Sequence, residues 1–83
     1  MKVNLQFYAT LGEYLPEGAQ RNCAEIYINP NDTVTDIIQS YHVPNNMAHL
    51  VLLNGVYLAP SRREETTLAE GDVLAVWPPI AGG

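Results

Sequence analysis

The sequence predicts a small α+β domain in which about five strands form a sheet packed on one main helix. Three observations carry this reading. Residues 2–9 alternate apolar with polar side chains, the period of a half-buried strand. Val34, Ile37, Ile38 and Tyr41 fall at the spacing of one helical stripe. Three more short apolar runs follow, at 49–53, 56–58 and 73–77, and Asn54-Gly55 joins the first two.

Each element has its own warrant. In the first strand Val3, Leu5, Phe7 and Ala9 share one face, and Asn4, Gln6 and Tyr8 share the other. Residues 10–22 contain Gly12, Pro16 and Gly18 and read as a connection. Ala24, Ile26 and Ile28 alternate with Glu25 and Tyr27 to form a second strand, which Pro30 and Asn31 end. Thr33 is the expected helix N-cap. Asp36 stands three residues on, where a carboxylate returns a bond to the cap and opposes the helix dipole. Pro44 stops the helix after about two and a half turns, so its stability must come from packing. Asn-Gly between apolar runs is a strong hairpin signal, because both turn positions take positive φ. Residues 60–67 are polar and charged and read as a solvated loop. Gly71-Asp72 turns the chain into the last strand, and Pro78-Pro79 cannot continue a ladder.

The chain has 83 residues, 47% of them apolar and 16% charged, with four Lys plus Arg against nine Asp plus Glu. This is the composition of one folded domain that hides roughly 60–65% of its extended-chain surface. The net charge of -5 argues against nucleic acid and against anionic membranes, since both need basic side chains. No apolar run approaches the ~20 residues of a spanning helix, and Asn4 and Gln6 interrupt any leader-like start. Cys23 is the single cysteine, so no internal disulfide forms. A cytoplasmic protein is expected.

Catalytic constellations are not visible. Cys23 reads as a small packed or edge residue with no base nearby. His42 and His49 are separated by a proline and lack carboxylate companions, which suits helix-end or surface roles. Arg62-Arg63-Glu64-Glu65 reads as a solvated mixed-charge cluster, and Asp32 and Asp36 as caps. An autonomous enzyme is therefore not expected, and no cofactor or metal is assigned to this chain.

The segment Pro78-Pro79-Ile80-Ala81-Gly82-Gly83 differs from the rest. A terminal α-carboxylate is an anion at neutral pH. Gly82 and Gly83 remove every side chain around it, so the backbone can enter a slot too narrow for a Cβ. Pro78-Pro79 stiffens the root, and six extended residues reach up to ~20 Å. Residues 1–77 thus read as the globular domain and 78–83 as an extended tail. One short helix covers only one sheet face. If Val3, Leu5 and Phe7 face the helix, Tyr8 faces away. The same parity puts Trp77 opposite Leu74 and Val76, and Tyr57 opposite Leu58.

The ending Val76-Trp77-Pro78-Pro79-Ile80-Ala81-Gly82-Gly83 resembles the closing motif of the small, sulfur-carrying subunit of molybdopterin synthase. Leu68-Ala69-Glu70-Gly71-Asp72, the opening Lys2-Val3 through Phe7-Tyr8-Ala9, and Thr33-Val34-Thr35-Asp36 fit the same resemblance. It implies a ubiquitin-like β-grasp fold, a mixed sheet whose last strand lies parallel beside the first. It implies that a ubiquitin-activating-type adenylating enzyme uses ATP and magnesium to adenylate the Gly83 carboxylate, and that a sulfur donor protein converts it to a thiocarboxylate. The tail then enters the large catalytic subunit and gives sulfur to a pterin precursor. Gly83 is the reacting residue and Gly82 grants access. Tyr8, Tyr57 and Trp77 take the positions of the family's docking patch, with Pro78, Pro79, Ile80 and Ala81 along the partner's channel. Alternatives are a sulfur carrier for thiamine or tRNA thiolation, a conjugated modifier, or an interaction module with an inert tail.

Overall fold

The structure, a computed structural model, describes residues 1–79. The expectations placed on Ile80, Ala81, Gly82 and Gly83 lie outside the described residues. Five strands form one sheet: β1 (Lys2–Phe7), β2 (Cys23–Tyr27), β3 (Leu50–Leu53), β4 (Val56–Tyr57) and β5 (Val73–Trp77), in the order β2-β1-β5-β3-β4. β1 and β5 run parallel at the centre, and every other pairing is antiparallel. The helix α1 (Val34–Ser40) crosses one face.

The register puts the apolar halves of the strands in line. Leu5 stands beside Ala24 on one side and Leu74 on the other, and Val76 lies between Phe7 and Val51. Val34, Ile37 and Ile38 of α1 close over this face, with Leu11, Val43 and Leu68 at its margins. Phe7 is fully buried and meets the edge of Tyr41, ring centres 6.4 Å apart at 85°. Side chains of this size stabilise by roughly 1.5–3 kcal/mol each when fully buried. That packing lets a helix of only seven residues persist.

The caps follow the expected chemistry. Thr33 Oγ1 accepts from the Asp36 amide at 3.1 Å, and Asp36 Oδ2 accepts from the Thr33 amide at 3.0 Å, a complete capping box. Asp32 accepts from the Asn29 amide instead of capping α1 directly. Past the helix end His42 takes φ +66°, and its amide donates to the Gln39 carbonyl. A non-glycine residue in this region is strained by roughly 1 kcal/mol. We expect His42→Gly to raise stability by about 0.5–1 kcal/mol, an increase of several degrees in Tm for a domain of this size. A lower melting temperature in calorimetry refutes the strain assignment.

Three expectations are corrected. β1 stops at Phe7, and Ala9 does not join its apolar face: it is exposed at φ +51° and opens a 3-10 turn over Ala9–Tyr14, most of it within what read as a plain connection. That turn brings Leu11 into the core. The helix is about two turns long rather than about two and a half, and Tyr41, the last residue of its apolar stripe, is its C-cap. Cys23 lies exposed in the edge strand, one of the two placements expected for it. Arg63 is buried, at 9% exposure, while Arg62 stays outside and pairs with Glu65. The Asn54-Gly55 hairpin is as expected, with φ +52° and +81°. The Asn54 side chain also donates to Asp72 and accepts from the Val73 amide, tying the turn to the start of β5.

Candidate functional site

Among the described residues no second layer covers the sheet face away from α1, and strand register decides what it shows. Leu50 lies opposite Trp77, and Leu52 lies between Ala75 and Tyr57. Gln6 flanks Ala75 from the other side. Tyr8, just beyond β1, donates its amide to the Val76 carbonyl at 3.0 Å. Its ring stacks flat on Trp77, centres 4.1 Å apart and planes within 5°. The Tyr8 hydroxyl donates to Gln6 Oε1 at 3.0 Å. Tyr8, Trp77, Leu50, Leu52 and Tyr57 therefore form one apolar strip that runs from the end of β1 across β5, β3 and β4. Tyr57, at 58% exposure, is among the most exposed large apolar residues described.

All three aromatics singled out from parity lie on this strip. Leu50 and Leu52 lie there too, half-buried and outside the core. They were missed because residues 50–53 are apolar throughout. Counting alternate positions back from the Asn54-Gly55 turn is the signal that could have found them. An apolar strip with a stacked aromatic pair is the chemistry of an interaction surface.

The strip ends where the tail begins. The Val76 carbonyl is held by Tyr8, and the Trp77 carbonyl accepts the His49 amide at 3.0 Å. The root is thus held from both neighbouring strands. Pro78, half-buried, and Pro79, exposed, have no amide hydrogen to extend the pairing. At the other end of the sheet Lys2 pairs with Glu25 at 3.5 Å. A polar cleft of about 430 Å³ there is lined by Asn4, Gln20, Cys23 and Glu25, and the Cys23 thiol meets only Asn22 Oδ1 at 3.7 Å. No group of three His, Cys, Asp or Glu among the described residues could hold a metal ion. No described helix is long and apolar enough to cross a membrane.

This sheet order, single helix and open face define a ubiquitin-like β-grasp protein. Residues 1–81 match the family described as Mut7-C ubiquitin, and the chain belongs to that family. Among curated proteins, none matches the chain. The solution structure of the Haloferax volcanii HVO 2177 protein is 27% identical, with TM-score 0.77, covering 100% of this chain and 87% of that one. SAMP1 from Haloferax volcanii is 22% identical, with TM-score 0.68 and full coverage of both chains. A Helicobacter pylori complex of subunits 1 and 2 of molybdopterin-converting factor holds a chain 18% identical, with TM-score 0.59 and full coverage of both. The last two likenesses are likenesses of fold.

Proposed function

We propose that this protein is a sulfur carrier serving molybdopterin synthesis. In this reading the Gly83 carboxylate attacks the α-phosphate of ATP, held with magnesium by a ubiquitin-activating-type enzyme, and pyrophosphate leaves. A hydrosulfide equivalent from a sulfur donor protein then displaces AMP and leaves a thiocarboxylate. The large subunit of molybdopterin synthase accepts the tail and takes the sulfur. The body of the chain docks and supplies no acid or base. The observation that carries the proposal is the apolar strip running into the root of a tail that closes on Gly82-Gly83. The fold likeness to subunit 1 of molybdopterin-converting factor, found in complex with subunit 2, supports a large-subunit partner.

The likeness to SAMP1 favours a second reading, a protein modifier joined through Gly83 to a target lysine. Intact and peptide mass measurements on the protein isolated from its own cells separate the two. The carrier reading expects a polypeptide ending at Gly83 and an oxygen-to-sulfur increment confined to the C-terminal peptide, appearing on incubation with activating enzyme, ATP and a sulfur donor. An isopeptide to lysine selects the modifier. A polypeptide that continues beyond Gly83 without being trimmed refutes both.

A further inference from the structure

Arg63 is the only buried charged residue among those described, and no carboxylate among the described residues pairs with it. Its Nη1 donates to the Ala48 carbonyl at 2.7 Å and its Nη2 to the His49 carbonyl at 3.1 Å. Nε has no partner among the described residues. Burial holds its pKa below the usual arginine value, an effect partly opposed by nearby Tyr57. A buried guanidinium bonded only to neutral carbonyls is costly, so the geometry it holds needs a reason.

The reason lies in the peptide planes. The Ala48 carbonyl and the His49 amide belong to one planar peptide group and point in opposite directions. Arg63 grips the carbonyl end, and the amide end donates to the Trp77 carbonyl at 3.0 Å. That carbonyl in turn belongs to the Trp77-Pro78 peptide, the first plane of the tail, and Pro78 has a fixed φ. Main-chain bonds hold the other side of Arg63: its carbonyl accepts the Thr35 amide of α1 at 3.2 Å, and the Thr66 carbonyl accepts that of Val34 at 2.9 Å. The guanidinium therefore links the first turn of α1, through two rigid planes in series, to the point where the tail departs.

We infer that Arg63 is a positioning residue for the tail: by holding the 48–49 peptide it fixes the plane of the Trp77-Pro78 peptide, and with it the direction in which the chain leaves the sheet. The kinetic consequence rests on the carrier reading; the orientation itself does not.

The test compares Arg63→Gln and Arg63→Lys with Arg62→Gln and with Ile26→Ala, a core variant in β2 that lowers stability without touching α1 or the tail root. Residual dipolar couplings of the His49 N–H bond and of the Trp77 Cα–C′ bond, which lie in the two peptide planes, report orientation, and ATP–pyrophosphate exchange with the cognate activating enzyme reports presentation of the carboxylate. Arg63→Gln is expected to rotate both bond vectors and to lower kcat by about tenfold while KM for the carrier stays within about twofold, because the docking strip is intact and a small misplacement at the reacting end is what costs rate. Arg63→Lys, which keeps the charge without the fork, is expected to fall between Arg63→Gln and the wild type. It decides the matter if the glutamine variant fails to fold. Arg62→Gln and Ile26→Ala are expected to leave couplings and kcat unchanged. Unchanged couplings in both Arg63 variants, or a loss confined to KM, overturn the inference. If the wild-type protein supports no exchange at all, the carrier reading fails and the couplings alone decide the role of Arg63.

Discussion

A chain lacking Gly83 is expected to melt at the temperature of the full chain and to accept no sulfur. The melting expectation follows from where the stability resides. The buried apolar cluster runs from Val3 to Val76, and among the described residues the hydrogen bonds of the sheet close on the Val76 and Trp77 carbonyls. The chemical expectation follows from reach. Removing one residue leaves a carboxylate on Gly82, drawn back by about 3.3–3.6 Å. A misplacement of even ~1 Å can cost about a hundredfold in rate, so adenylation should fall below detection. Calorimetry and mass measurement of the loaded peptide check the two halves separately. Sulfur loading of the shortened chain at an undiminished rate would remove Gly83 from the mechanism. A drop of many degrees in Tm would make the terminus part of the fold.

The second large effect is expected at the aromatic pair. Trp77→Asp should weaken binding to the activating enzyme by at least about thirtyfold, the loss of about 2 kcal/mol that marks a hot-spot residue. The indole stacks on Tyr8 and lies across from Leu50, so an aspartate there sets a charge in the middle of the apolar strip. The proper control is Tyr27→Asp. Tyr27 is the most exposed aromatic described, at 80%, and it pairs with Lys2 at the end of the sheet remote from the tail. That variant should bind within about twofold of wild type, as surface positions outside a hot spot usually do. Titration calorimetry of both against the same enzyme gives the answer. Equal losses would mean that overall charge, not the strip, governs association.

Much of this architecture was legible because local and tertiary preferences agree. β1 alternates because one face meets α1 and the other meets water. The Thr33–Asp36 box and the Asn54-Gly55 turn satisfy their own backbone groups within a few residues. Tyr8, Tyr57 and Trp77 could be placed by parity alone. Legibility ended where distant groups decide. Leu50 and Leu52 gave no period, because the chain there is apolar on both faces, one turned to the core and one to the open strip. Arg63 read as a solvated charge, since nothing nearby in sequence foretells that carbonyls 14 and 15 positions away would receive its guanidinium. Ala9 continued the alternation by residue type, yet the strand ends at Phe7 and the chain turns at Ala9 with positive φ.

Trp77 is the single tryptophan of the chain, and it stands on the strip itself, face to face with a tyrosine ring. Its ultraviolet emission therefore senses this surface alone. Any ligand that covers the strip strips water from one indole and disturbs one stack, so occupancy can be followed optically, without a dye, in the unmodified protein.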